Sequence, residues 1–279
     1  MAKGRKKAAS GAKPKKKGRS MLVRILVFPF RAMVWIYRAI RHLAILSRRA
    51  SQQMRTERTR KSLGEASGYR PLEVVESIGG EWGSFEKRLM KGKSTIGIIL
   101  GARGTGKTAL GMRLLENIYV RKKRKCYCMG FHAETLPSWL SVITDINQAA
   151  KDSAILIDEG GILYSSRESM SAPNKILSDA LLIARHNDLS IIFISQNSAN
   201  LEINALRQAD YLLLKPSSLL QKDFERQKIK DVYEKASAGF ARHQDDAGIT
   251  YVYATEFQGF VSNTLPSFWT VEVSKSFRK

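Results

Sequence analysis

The chain has 279 residues, 43% hydrophobic and 26% charged, which is enough apolar side chain for a folded domain and excludes a wholly disordered chain. Its formal charge is +22, from 47 Lys and Arg against 25 Asp and Glu. Two cysteines exclude a disulfide scaffold, and with four scattered histidines they provide no zinc-ligand spacing.

The charge is unevenly placed. Nineteen of the 47 basic residues, and only one acid (Glu57), lie in residues 1–61, so +18 of the +22 belongs to an N-terminal arm and the rest of the chain is nearly neutral. The basic balance therefore implies an anionic partner for the arm, and says little about the remainder. Residues 1–20 are rich in Lys, Gly and Ala with no large apolar residue after Met1, which predicts a disordered basic tail.

Residues 21–50 differ. Phe28, Phe30, Trp35 and Tyr37 stand among many aliphatic side chains, while Arg24, Arg31 and Arg38 recur every seven residues, with Arg41 and His42 nearby. At about 100° per residue, Arg24, Arg31, Arg38 and His42 fall on one stripe and the opposite side is almost wholly apolar. This pattern predicts a basic amphipathic helix, bent near Pro29, lying in a membrane interface. A span needs about 18 or more residues with few charges, and the arginines interrupt every such run. They also break the apolar region of a signal peptide. Packing on the protein itself or on another copy, contact with DNA, and a span with snorkelling arginines are the competing readings of this segment. Residues 51–90, basic at first and then mixed with Gly, Ser, Glu and Pro71, read as a linker, with the domain boundary between residues 64 and 91.

From residue 91 to 216 strands and helices alternate. Strands are expected near 95–100, 125–131, 153–158, 190–195 and 210–214, and helices near 107–119, 138–149, 173–186 and 201–207. This is the pattern of an α/β core with a mostly parallel sheet covered on both faces. Directly after the first apolar run come Gly101, Ala102, Arg103, Gly104, Thr105, Gly106, Lys107 and Thr108, which fill every fixed position of the phosphate-binding loop G-x-x-x-x-G-K-[ST]. The apolar spacing behind it makes the loop open a helix, whose N-terminal amides and dipole face an anion. Such a loop suits a nucleotide triphosphate: its glycines let the backbone approach the phosphates, Lys107 reaches the β- and γ-phosphates, and the Thr108 hydroxyl serves Mg2+.

A basic run, Arg121 to Lys125, separates that helix from the next strand and reads as a solvated turn or as a phosphate contact. Cys126 and Cys128 alternate on one face of the strand and read as reduced core residues. The apolar run at 154–157 ends in Asp158 and Glu159, at the carboxyl edge where parallel sheets bind ligands. The pair looks like a Walker B motif, with Asp158 holding Mg2+ and Glu159 acting as general base on water, which favours hydrolysis over transfer to a substrate. Residues 160–173, with Tyr164, Arg167 and Met170, form a candidate substrate-contacting loop. A further apolar run ends at Ser195 and is followed by Gln196. In P-loop ATPases with an extra strand between the loop strand and the Walker B strand, a polar residue at that strand's tip lies beside the γ-phosphate, so Gln196 is the candidate sensor; a capping amide is the alternative.

Residues 217–279 read as an extension: a polar helix from Ser217 to about residue 238, a hairpin within 250–262 with its turn around Thr255 and Glu256, and a further strand or arm at 265–269 and 271–273. One helix and a hairpin do not make the helical lid of an AAA+ enzyme.

The order of loop, Walker B pair, Arg185 with His186, the strand ending at Gln196, and Leu206, Arg207 and Asp210 resembles the FtsK/HerA superfamily, and within it the Zot-type phage assembly ATPases and viral packaging ATPases. The likeness covers residues 96–215. It implies a RecA-like core working as a homo-oligomeric ring, usually a hexamer, on DNA or a DNA–protein complex at a membrane, alongside virion or assembly proteins. Rings of this kind complete each site with a neighbour's arginine. Arg185 and Arg207 are the candidates, the alternative being surface arginines paired with Asp188 and Asp210. The reading of the whole chain is an ATP- and Mg2+-dependent hydrolase that moves DNA at the cytoplasmic face of a membrane. A nucleotide-switched membrane scaffold and a RecA-like recombination or repair ATPase are the alternatives.

Overall fold

The computed structural model describes residues 21–91, 93–158, 173–201, 203–218, 221 and 224–274. The chain divides into two units, residues 1–55 and 56–279. The tail at 1–20, Glu159 and the loop at 160–172 lie outside the described residues.

The first helix, α1 (Met21–Glu65), is unbroken through Pro29 and continues well past the segment expected to be helical. In the first unit, Trp35 is 73% exposed, and Met33, Ile36, Tyr37, Ile40, Leu43 and Leu46 are exposed with it. Among the described residues, no helix is long and apolar enough to cross a membrane.

The second unit is built on one nine-stranded sheet. Its strands are β1 (Glu73–Gly80), β2 (Ile96–Leu100), β3 (Cys126–Met129), β4 (Leu140–Val142), β5 (Ala154–Asp158), β6 (Ser190–Ser195), β7 (Tyr211–Leu214), β8 (Thr250–Ala254) and β9 (Phe257–Ser262). They lie in the order β1-β9-β8-β7-β2-β6-β5-β3-β4. The six strands from β7 to β4 run parallel, and β8, β9 and β1 add antiparallel to that block. The central strands β2 and β6 are buried along their whole length, as strands covered on both faces must be.

Both faces are covered by helices. On one, Leu110, Leu114 and Leu115 of α3 (Lys107–Lys122) pack with Phe85 and Leu89 of α2 (Trp82–Lys91). On the other, Ala180, Leu181 and Ala184 of α4 (Pro173–His186) and Val232, Tyr233 and Ala236 of α6 (Gln227–Arg242) form a second apolar layer with Ala205 of α5 (Ile203–Gln208). A last short helix is α7 (Val271–Ser274). The fold is the expected α/β P-loop core.

Several local expectations are corrected. Residues 138–149 are not a helix: Leu140 is buried and Ser141 exposed, the period of an edge strand, and β4 pairs with β3 before a single 3-10 turn at Ile146–Gln148. Residues 51–90 are not a linker. They hold the end of α1, then β1 and most of α2, and Arg60 donates to the carbonyls of Leu136 and Leu140, each at 3.1 Å. The division of the chain accordingly falls at residue 55, ahead of the expected boundary. The single helix expected from Ser217 to about residue 238 is interrupted: Gln221 and Phe224 are helical, Glu225 is a bend, and α6 begins at Gln227; residues 271–274 are helical, not extended. The hairpin β8–β9 is continuous with the core sheet through antiparallel pairing of β8 with β7.

Candidate functional site

The parallel register brings the tips of four strands to one edge. Leu100 of β2 lies level with Ser195 of β6 and Leu214 of β7, and Asp158 of β5 lies level with Ile194. The phosphate-binding loop leaves β2 at that edge, Asp158 ends β5 there, and Gln196 is the first residue beyond β6. Neighbouring strands lie about 4.8 Å apart, so the β5 backbone is only about 10 Å from β2, with β6 between them. The three stretches singled out in the sequence therefore meet at one edge of the sheet. Gln196 is exposed, and its carbonyl accepts from the Gln221 side-chain amide.

The loop itself shows the conformations its residue types allow. Gly106 precedes α3 with φ 86°, in the left-handed region, where a side chain would be strained. Gly101 is required for a different reason: a Cβ there would lie 2.5 Å from the Lys215 Cβ. Gly104 and Arg103 are exposed on the loop's outer side. The Thr105 hydroxyl donates to the Ala102 carbonyl at 2.7 Å, which closes the turn. Lys107 is 8% exposed, and its ammonium donates to the carbonyls of Gly101 and Ala102, each at 2.8 Å. The cation is thus held within the curve of the loop.

The donors expected from the sequence for a divalent cation are the Thr108 hydroxyl and the Asp158 carboxylate, both hard oxygens. No group of three or more His, Cys, Asp or Glu side chains that could hold a metal exists among the described residues. Two protein oxygens, with water and phosphate supplying the rest, match what Mg2+ accepts.

Arg185 and Arg207 lie elsewhere. Arg185 is in the last turn of α4, where the Ala184 carbonyl accepts from the Ser94 hydroxyl at 3.0 Å, next to the start of β2. Arg207 is in the last turn of α5, just before β7 begins. Both are at the edge opposite the loop, a strand length of roughly 15 to 20 Å away. Neither can reach this chain's own loop. The alternative pairings are corrected too: Asp210 pairs with Arg88 and accepts the Ile96 N–H at 2.7 Å, and Asp188 lies 3.9 Å from Lys93. Cys126 and Cys128 are buried core residues, and burial pushes the Cys126 thiol up to about 12 and raises Cys128 as well. Of the basic run, Arg124 is buried and donates to the Asp152 and Ser153 carbonyls, both at 3.1 Å, while Lys122, Lys123 and Lys125 are exposed.

Sequence reasoning missed the polar groups behind the site. Arg113 and Glu116 of α3, 1% and 0% exposed, form a buried ion pair. Arg113 also donates to the Thr264 and Leu265 carbonyls, and Glu116 accepts from the N–H and hydroxyl of Ser267. Asn117 exchanges hydrogen bonds with the main chain of Arg70, at 3.0 and 2.7 Å. Lys215, fully buried at the end of β7, was missed as well. Charged residues inside otherwise apolar runs were the available signal.

A phosphate-binding loop on the central strand, separated by one strand from the strand ending in Asp158, defines a P-loop NTPase of the extra-strand type. A family model described as Zonular occludens toxin (Zot) matches residues 111–211, somewhat more than a third of the chain. Among solved structures, the chain is similar to the genome packaging NTPase B204 from Sulfolobus turreted icosahedral virus 2 in complex with AMP. That match is 12% identical, covers 61% of this chain and 98% of that one, and has a TM-score of 0.42. It is also similar to the N-terminal domain of zonular occludens toxin from Neisseria meningitidis, at 13% identity, covering 67% of this chain and 100% of that one, with a TM-score of 0.34. No curated protein matches significantly. The class assignment stands on strand order and loop.

Proposed function

We propose that the chain is a Mg2+-dependent ATP hydrolase that works as a ring on DNA at a membrane surface, in genome packaging, virion assembly or DNA transfer. The observation that carries this reading is the shared strand edge at which the loop, Asp158 and Gln196 meet. There the loop amides and Lys107 bind and orient the phosphates, and Thr108 and Asp158 hold the cation, which when bound would spread the charge of the transferring group. Glu159, next in chain to Asp158, takes the proton from the attacking water, and Gln196 orients that water. Arg185 and Arg207, a strand length from their own loop, could serve only a neighbouring copy's nucleotide, which is what a ring provides. The Zot-model match lends support to the assembly setting.

Membrane attachment rests on α1. Its exposed Ile36, Tyr37, Ile40 and Leu43 alternate with exposed Arg38, Arg41 and His42, the composition of an interfacial helix facing anionic lipid.

Hydrolysis by the full-length chain, with and without DNA and anionic vesicles, tests the reading. Lys107→Ala is expected to abolish nucleotide binding or turnover, and Glu159→Gln to retain bound ATP without hydrolysing it. Turnover that ignores DNA but responds to vesicles would sink the motor and favour the nucleotide-switched scaffold.

A further inference from the structure

Lys215 is 0% exposed, yet among the described residues no carboxylate pairs with it. Its ammonium donates to three neutral acceptors: the Gly248 carbonyl at 2.6 Å, the Ile249 carbonyl at 3.2 Å and the Asn263 Oδ1 at 3.1 Å. All three flank the β8–β9 hairpin. A buried cation without a counter-charge is costly, and an apolar side chain of the same volume would fill the space at lower cost. Volume alone therefore does not explain a lysine here.

Its main chain touches the nucleotide site. The Lys215 N–H donates to the Leu100 carbonyl at 2.7 Å, and the Pro216 carbonyl accepts from the Ala102 N–H at 3.0 Å. Gly101, between these two bonds, lies so close to Lys215 that no side chain fits. The entry of the phosphate-binding loop is thus built directly on residues 215 and 216. The exit of the loop is tied to the same part of the chain. Asn263 donates to the Thr264 carbonyl at 3.2 Å, and that carbonyl also accepts from Arg113 of α3, the helix the loop opens, at 3.3 Å.

We propose that Lys215 is a positioning residue of the nucleotide site: its buried ammonium ties the loop entry to the flanks of the β8–β9 hairpin and, in its protonated form, supplies a positive charge behind the loop. The missing counter-charge is then the nucleotide phosphate itself. The segment at residues 248–265, outside every recognised motif, becomes part of the machinery that sets nucleotide affinity. This rests on reading residues 101–108 as a nucleotide site.

The test is titration of the full-length protein with a fluorescent, non-hydrolysable ATP analogue and Mg2+, alongside thermal unfolding. Lys215→Met is expected to weaken binding about tenfold, the order expected for one unit charge acting at short range through protein, with the melting temperature held or raised. Asn263→Asp places a carboxylate against the ammonium. It is expected to keep the fold and weaken binding to a similar degree, and it decides the matter should Lys215→Met fail to fold. A purely structural lysine predicts the reverse, altered melting temperatures with wild-type affinity in the folded protein, and that result overturns the proposal. If the wild type binds the analogue and Lys107→Ala does not, wild-type affinity in both new variants removes Lys215 alone. A wild type that binds no nucleotide removes the site reading together with it.

Discussion

Helices α1 and α3 reverse the usual placement of side chains in opposite ways. Helix α3 buries Arg113, Glu116 and Asn117 at 1% exposure or less, whereas residues 33–46 of α1 leave Trp35 at 73% and Tyr37 at 67%. In α3 the partners are within the chain: the backbone at 68–70 precedes β1, the backbone at 264–267 follows β9, and together they satisfy the buried polar groups. The large apolar side chains described within residues 33–46 of α1 remain exposed. The contrast separates two kinds of demand. A buried charge is tolerated where neighbouring backbone is arranged around it, while an exposed apolar stripe calls for a surface that the helix does not itself provide.

Removing one member of the buried pair should break the α3 half of that contrast most sharply. Glu116→Ala leaves Arg113 uncompensated and is expected to cost about 3 to 5 kcal/mol in urea unfolding, whereas the double change Arg113→Met with Glu116→Leu should recover most of it. A Glu116→Ala protein with the wild-type midpoint would show that the pair contributes nothing.

A buried cation should also make folding depend on pH. Burial pushes the Lys215 ammonium down to about 7, against an unfolded value near 10.4. Between those values the unfolded chain binds the extra proton, so this group makes folding more favourable as pH rises from about 7 towards about 10. Relative to Lys215→Met, the wild type should gain about 2 kcal/mol between about pH 7 and pH 9, read from denaturant curves. Parallel pH profiles for the two proteins would contradict it.

The smallest effect on folding should come from α1. Changing Ile36 and Ile40 together to Ser is expected to shift unfolding by no more than about 0.5 kcal/mol. Co-sedimentation with anionic vesicles should fall about tenfold or more in the same variant, since two exposed aliphatic side chains are lost from the apolar side. Unchanged vesicle binding would remove the membrane reading of the helix.

The nucleotide edge was legible because its information is local. Eight consecutive residues specify the loop, and short apolar runs ending in Asp158 and Gln196 specify the two strands beside it. Strand β1 was not legible, because Glu73–Gly80 is largely exposed, carries two glycines, and owes its strand character to β9, about 180 residues further along the chain. The 138–149 stretch misled because its apolar residues suit either period, and only the open edge of β3 selects the strand. Arg185 and Arg207 were recognised as arginines near the sensor strand, but strand direction places them at its far edge. Lys215 and Arg113 were passed over for a different reason. A charged residue in an apolar run suggests a solvent-facing side, and only the assembled backbone at 248–267 reveals an interior one.

The pairing of β1 with β9 also sets a schedule. During synthesis β1 is made early, but its partner at Phe257–Ser262 follows about 180 residues later, a wait of roughly 10 to 40 s at ordinary elongation rates. Late in that interval, once β6 has been made, the loop, β5 and β6 can assemble among themselves, while β1 waits as an unpaired strand. The outer edge of the sheet closes last, and an interrupted chain would carry a complete phosphate-binding motif on an unfinished sheet.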